Sequence, residues 1–221
     1  MRGKFITFEG GEGSGKSTHT AALAERLKAA GIDCILTREP GGSPGAEIIR
    51  HIILSGIAKP LGTETETILF AAARDDHVRV TIEPALDAGK WVICDRFIDS
   101  TRVYQGALGK VDMKLIRSLE RVTVGPNMPD LTFLLDVPAN IGLARAKTRR
   151  GTEKADRFES EAIEFHEDLR RAFLVLAERE TKRIVTIDGR APRDVVADRI
   201  WTAVEERLIG TVTPVAEAAA P

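Results

Sequence analysis

The sequence predicts an α/β fold in three layers, a five-stranded parallel sheet flanked by helices on both faces. Three observations carry that expectation. Five short runs, residues 4–8, 33–36, 91–94, 131–135 and 183–187, are mostly apolar with little polar alternation, which suits strands covered on both faces. The stretches between them repeat apolar residues every three or four positions, the period of an amphipathic helix. Each run also ends in a polar or glycine-rich cluster, where open α/β sheets bind ligands.

The elements follow in order. The first run meets Glu9-Gly10 and a glycine-rich turn, and Leu23, Leu27 and Ala30 then mark a helix with Gly31 as its stop. The second run ends in Thr37-Arg38-Glu39-Pro40-Gly41-Gly42. A long helical segment, 65–88, contains Pro84, which lacks an N–H and should kink or divide it near Glu83. The third run closes on Asp95-Arg96, the fourth on Asp136 and the fifth on Asp188-Gly189-Arg190. Helical stripes lie at Met113, Ile116, Leu119 and Val122, at Phe165, Leu169, Phe173 and Leu176, and at Val196, Ile200, Val204 and Leu208. Strands alternating with helices mean βαβ units with right-handed crossovers. No internal repeat interrupts this, so residues 1–210 read as one domain, and the Ala/Pro/Val-rich 211–221 as a frayed tail.

Composition excludes several classes. The 221 residues carry 32 Lys and Arg against 33 Asp and Glu, a net charge of −1. A dedicated nucleic-acid or membrane-surface protein would need a basic excess. No apolar run approaches the ~18 residues of a membrane-spanning helix, and the start offers no signal-peptide core of adequate length. The two cysteines, Cys34 and Cys94, sit inside apolar runs and read as reduced core residues of a cytoplasmic protein.

Gly10-Gly11-Glu12-Gly13-Ser14-Gly15-Lys16-Ser17 matches G-x-x-x-x-G-K-S/T between a strand and a helix. Glycines let the backbone wrap a phosphate with its N–H groups inward, and the helix that follows adds its positive end. Lys16 should reach the β- and γ-phosphates of a nucleotide, and the Ser17 hydroxyl should ligate Mg²⁺. By average residue frequencies the pattern arises by chance in about 1% of chains this long, before the strand–turn–helix context is demanded. It is a nucleotide-binding P-loop. A switch GTPase would add D-x-x-G and N-K-x-D strings and a transport ATPase an L-S-G-G-Q string, none of which occurs. Arginines gather near the strand ends instead, and two phosphorylated substrates need positive donors between them. That points to a small kinase.

Several strings together resemble the thymidylate kinase family, from Lys4 to about Leu208. They are Phe8-Glu9-Gly10, Thr37-Arg38-Glu39-Pro40-Gly41-Gly42, Leu69-Phe70-Ala71-Ala72-Ala73-Arg74, Cys94-Asp95-Arg96-Phe97, Asp99-Ser100-Thr101-Arg102-Val103-Tyr104-Gln105-Gly106 and Pro129-Asp130-Leu131-Thr132. The resemblance implies a P-loop kinase fold with a small lid at 145–159, and transfer of the ATP γ-phosphoryl group to dTMP with Mg²⁺. ATP would be held by Gly10 to Thr18 (Thr18 following Ser17) and by Arg145 against adenine, with 189–192 lining that pocket. On the acceptor side Phe70 would stack on thymine, Arg74 would donate to its O4, and Thr101 would face N3 with Ser100 and Gln105 nearby. Tyr104 would pack on the sugar and Glu12 lie near its 3′-hydroxyl. Arg38 and Arg96 would hold the acceptor phosphate. Asp95, in a Walker-B-like position, would orient Mg²⁺ water or Arg96. Arg149, Arg150 and Arg157 are candidates for the lid arginine that stabilises the transferring group, because Gly13 leaves none beside Glu12. Members of the family are homodimers built from helices corresponding to 46–54, 65–82 and 113–124. Ile48, Ile49, Ile52 and Ile53 give the first of these apolar residues on more than one side. Another P-loop nucleotide or deoxynucleoside kinase is the alternative, and an ATP-driven switch a third reading.

Overall fold

The computed structural model describes residues 1–151, 158 and 160–210. Five strands form one parallel sheet: β1 (Phe5–Glu9), β2 (Cys34–Arg38), β3 (Trp91–Asp95), β4 (Leu131–Asp136) and β5 (Ile184–Asp188), in the order β2-β3-β1-β4-β5. The predicted runs sit on these strands, each starting within one residue, and the strands extend one or two residues further into the polar clusters. β1 is wholly buried, and of β4 only Asp136 reaches partial exposure. The edge strands β2 and β5 are only partly covered, so continuous burial holds for the centre of the sheet. Thr7 and Thr132 sit at 0% exposure within it and share a 2.6 Å hydrogen bond that satisfies both hydroxyls.

The helices are α1 (Lys16–Ala29), α2 (Pro44–Leu54), α3 (Gly62–His77), α4 (Glu83–Asp87), α5 (Ile98–Thr101), α6 (Met113–Thr123), α7 (Ala139–Arg150), α8 (Ile163–Arg179) and α9 (Arg193–Val204). On one face Leu23 and Leu27 of α1 and Val196 and Ile200 of α9 pack on Ile6, Phe8 and Phe133. On the other, Val78, Ile82, Leu86, Phe97 and Ile98 cover Phe5, Val92 and Cys94, and Leu169 and Phe173 of α8 cover Leu134 and Ile184. These are the three layers. Both cysteines are free and buried.

Pro84 behaves as its chemistry dictates. The α3 helix passes into a wide π turn at Val78–Ile82, and α4 restarts with the proline in its first turn. Ala30 is exposed past the end of α1 rather than continuing its stripe. The α6 stripe also drifts. Three-residue steps lag a 3.6-residue turn by about 60° each, so Met113 to Val122 turns through about 180°. Ile116 is accordingly buried at 1% while Val122 is 78% exposed.

Strand register aligns the chemistry at one rim. Arg38 pairs with Asp95, and Asp95 with Phe8, whose neighbour Glu9 opens the P-loop. The same order puts β1 at the centre, where connections leave toward both edges of the sheet, the place at which α/β folds bind ligands.

Candidate active site

A cleft of about 250 Å³ opens at this rim. Its floor is the P-loop, represented by Glu12, Gly13, Gly15, Lys16 and Ser17. Gly10, Gly11 and Ser14 frame the loop from behind: the Lys16 Nζ donates to Gly10 O (3.1 Å), Gly11 O (2.8 Å) and Ser14 Oγ (3.4 Å). Those contacts hold the ammonium over the loop. Burial pushes the Lys16 pKa down, with Arg96 adding to the fall and Glu12, Asp95 and Glu9 opposing it. Thr18 is exposed in the first turn of α1 and does not line the cleft.

The loop leans on α7 through two glycines. A Cβ on Gly13 (φ 65°) would lie 1.9 Å from Gly142 O, and one on Gly142 would lie 2.3 Å from Glu12 O. Only hydrogens fit between these backbones.

Beyond the P-loop the wall carries Arg38, Phe70, Arg74, Arg96, Ser100, Thr101, Tyr104 and Gln105, every acceptor-side residue anticipated from sequence. They come from the ends of β2 and β3, from α3, and from α5 with the π turn Arg102–Leu108 that continues it. Arg96 carries a left-handed backbone (φ 68°) at the end of β3. Its Nη1 donates to Gly10 O and Ser100 Oγ, its Nη2 is bonded to Glu12, and the guanidinium lies 5.3 Å from the Tyr104 ring centroid. Burial alone would raise the Glu12 carboxyl, but Arg96 and Lys16 outweigh it and hold the pKa down at about 2. Burial would likewise discharge Arg96, yet the oxygens of Tyr104, Glu12, Asp95 and Glu9 hold its pKa above the ordinary arginine value. The Tyr104 hydroxyl donates to Glu12 at 3.4 Å.

Asp95 is turned toward Ser17, whose Oγ donates to its Oδ2 at 2.6 Å, and makes no ion pair with Arg96 among the described residues. A hydroxyl and a carboxylate oxygen side by side at the P-loop are hard donors of the kind Mg²⁺ takes. That ion is usually held by one or two side chains plus phosphates and water. No cluster of three His, Cys, Asp or Glu side chains suited to a metal occurs among the described residues.

Other strand-end acids are engaged structurally. Asp136 receives Arg170 through two hydrogen bonds (2.6 and 3.1 Å), and Asp188 receives its neighbour Arg190. Arg145 donates to Gly189 O at 3.0 Å, joining the two segments expected around adenine, although neither lines the cleft itself. Of the lid arginines, Arg149 lines the cleft, Arg150 ends α7 outside it, and Arg157 lies outside the described residues. The first part of the anticipated lid is therefore helix, since α7 runs to Arg150.

Several residues that sequence reasoning left unassigned also belong to the site. Glu9 accepts from Phe97 N, Ser100 N and Ser100 Oγ. Burial, with the Asp99 charge, pushes its carboxyl up to about 7 against the pull of Ser100, Arg96 and the Phe97 N–H. Glu39, Pro40, Arg50, Leu54, Phe97 and Phe158 line the cleft too. His19 stands beside Gly15 on the far side of the loop and does not line the cleft; its pKa is pushed down by burial, then by Arg193 and Arg145. Glu9 and Glu39 lay inside strings that had been noticed, whereas His19 carried no signal.

A P-loop at the centre of a β2-β3-β1-β4-β5 sheet, facing a wall of arginines across one cleft, defines a nucleotide kinase of the P-loop class. The sequence model of the family described as thymidylate kinase matches residues 8–200. The chain is 59% identical over 210 residues to a thymidylate kinase of Bradyrhizobium diazoefficiens, covering 95% of this chain and 92% of that one. It is 60% identical over 209 residues to one of Rhodopseudomonas palustris, covering 94% and 91%. The crystal structure of thymidylate kinase from Ehrlichia chaffeensis superposes with a TM-score of 0.73 at 32% identity, over 93% of this chain and 100% of that chain. The chain belongs to the thymidylate kinase family and is a phosphotransferase.

Proposed function

We propose the following division of labour for the family's reaction, the transfer of the ATP γ-phosphoryl group to dTMP, giving dTDP and ADP. The observation that carries it is one continuous cleft joining the Lys16 loop to Phe70, Arg74 and Arg96. Donor phosphates lie on the P-loop amides and Lys16, with Arg145 and the 189–192 segment at the adenine. Ser17 and Asp95 would hold Mg²⁺, which supplies charge neutralisation between the donor phosphates. The acceptor stacks on Phe70, meets Arg74 at its base and Thr101 and Gln105 alongside, and packs its sugar on Tyr104. Arg96 and Arg38 grip its phosphate, with Glu12 aligning Arg96 and Arg149 facing the transferring group. Ser100, which bonds both Glu9 and Arg96, holds that arginine's far side.

The chemistry asked of these residues is positioning and charge neutralisation. The acceptor phosphate oxygen is already anionic at neutral pH, so no proton has to leave it first. Tyr104 and Phe158 meet edge to face with centroids 5.4 Å apart, which brings a residue of the lid segment over the acceptor side and supports exclusion of water during transfer.

We further propose a homodimer. Ile48 of α2 (67% exposed), Ile68 of α3 (48%) and Val122 of α6 (78%) leave apolar surface on three helices that pack side by side, the kind of patch a partner covers. Work in a reducing, cytoplasmic setting fits the two free buried cysteines, and no helix among the described residues is long and apolar enough to cross a membrane.

Phe70→Ala tests the acceptor assignment. It is expected to raise the dTMP KM by about tenfold or more, the worth of one aromatic stack, while the ATP KM stays within about twofold. Equal changes in both constants would refute it.

A further inference from the structure

Behind the acceptor wall a buried chain of polar side chains runs from Thr37 and His77, which have no place in the reaction, to Arg74 and Thr101 at the cleft. Thr37 Oγ1 lies 2.6 Å from His77 Nε2, and His77 Nδ1 lies 3.1 Å from Glu39 Oε1. The other oxygen, Glu39 Oε2, accepts from Arg74 Nε at 2.8 Å. Arg74 Nη2 then donates to Phe97 O (3.3 Å) and Thr101 Oγ1 (3.1 Å), and the guanidinium sits 5.3 Å from the Phe97 ring centroid. His77 is 0% exposed, Arg74 3% and Glu39 6%.

Donor and acceptor chemistry orders this chain. A carboxylate only accepts, so the hydrogen of a neutral His77 ring belongs on Nδ1, facing Glu39, and Nε2 accepts from the Thr37 hydroxyl. Glu39 is thereby held at both oxygens, one by His77 and one by Arg74. A carboxylate held at a single oxygen could swing about its last torsion and carry the guanidinium with it. With Nε and Nη2 committed, Nη1 is the guanidinium nitrogen with no partner among the described residues, and Arg74 lines the cleft. Gly42 closes the chain from above: a Cβ there would fall 2.3 Å from Thr37 Oγ1 and 2.4 Å from His77 Nε2. The backbone at Gly42 is left-handed as well (φ 85°), and its carbonyl is tied down by Thr81 Oγ1 at 2.8 Å.

We propose that His77 is a positioning residue for base recognition. Acting through Glu39, it fixes the Arg74 guanidinium at the cleft, so selection of a base with a 4-oxo group depends on a side chain that touches no substrate. This rests on the reading of Arg74 as the base contact, and deepens it.

Steady-state kinetics of the full chain test the relay, with dTMP and ATP varied in turn and dCMP, whose 4-amino group cannot accept from Arg74, measured as a competitor. His77→Leu removes both ring nitrogens. The dTMP KM should rise about tenfold, and the ratio of dCMP Ki to dTMP KM should fall by a similar factor, as for loss of one hydrogen bond to a charged group. The ATP KM should stay within about twofold, since the relay does not reach the P-loop. His77→Asn keeps a donor at the δ position and should restore both quantities to within about threefold of the unsubstituted protein. A His77→Leu protein with unchanged dTMP KM and ratio overturns the proposal. So do His77→Leu and His77→Asn proteins that lose kcat and both KM values alike, which is the signature of general loosening. Should His77→Leu not fold, Thr37→Val decides. It frees Nε2 at the far end, and it must raise the dTMP KM and lower the ratio with the ATP KM steady, or the relay is wrong. An unsubstituted protein that prefers dCMP, or ignores both nucleotides, would instead refute the acceptor reading beneath it.

Discussion

Arg96 shows how one residue joins stability to chemistry. Its φ of 68° places a Cβ-bearing residue in the left-handed region, at a cost of about 1–2 kcal/mol. The guanidinium held there meets Glu12, Gly10 and Ser100 at once. Replacing it should separate the two effects. Arg96→Gly and Arg96→Ala should both lose about 10²–10³ in turnover through the missing donor. In urea, however, Arg96→Gly should be more stable than Arg96→Ala by about 1 kcal/mol, because glycine adopts that backbone freely. An alanine protein as stable as the glycine one would show that this conformation carries no strain. The guanidinium was visible in sequence because Asp95-Arg96 ends an apolar run. Its backbone was not, since nothing local distinguishes a left-handed arginine. Glu39 and His77 escaped for a related reason. Their partners stand 35 and 38 positions apart along the chain, and the pairing exists only once β2 and α3 have packed.

At the level of elements, the contact between the P-loop and α7 makes the sharpest demand. Helix propensity alone favours Gly142→Ala by about 1 kcal/mol. The new Cβ would nevertheless sit 2.3 Å from the Glu12 carbonyl, and backbone overpacking costs about 1–3 kcal/mol. The clash should win, lowering Tm and raising the ATP KM more than the dTMP KM, as calorimetry and kinetics can check. A variant with higher Tm and unchanged ATP KM would mean that the loop tolerates a gap there. Periodicity located the helices well where the stripe stepped by three and four, as in Leu169 and Phe173 of α8. It misled in α6, where steps of three alone carried Val122 around to the surface. The π turns at Val78–Ile82 and Arg102–Leu108 had no sequence signature beyond Pro84, because a wide turn is selected by what it packs against. The second of these turns nonetheless carries Tyr104 and Gln105 into the cleft.

For the whole molecule, sheet topology and surface lead to different tests. The parallel direction of the strands could be anticipated because near-continuous apolar runs joined by helices leave few alternatives, whereas their order, β2-β3-β1-β4-β5, was visible only in the packed sheet. The exposed isoleucines could be noticed but not explained from one chain alone. If α2, α3 and α6 form the proposed dimer face, the unsubstituted protein should scatter light as a dimer at micromolar concentration. Ile48→Glu combined with Val122→Asp should halve that mass, because unpaired carboxylates would be buried at the interface. A monomeric parent would remove the dimer. The residues that meet around one cleft come from the P-loop and the start of α1, the ends of β2 and β3, α2, α3, α5 and the last turn of α7, so the site belongs to the fold and not to any single segment.

The decisive experiment is ADP release from Mg·ATP with dTMP, dUMP, UMP, CMP, AMP or no acceptor. Release that depends strongly on dTMP, is weaker with dUMP and stays near background with the others is the expected result. Preference for a different acceptor would leave the kinase fold standing but void the roles given to Phe70, Arg74 and Tyr104, and release indifferent to every acceptor would contradict phosphoryl transfer to a nucleotide altogether.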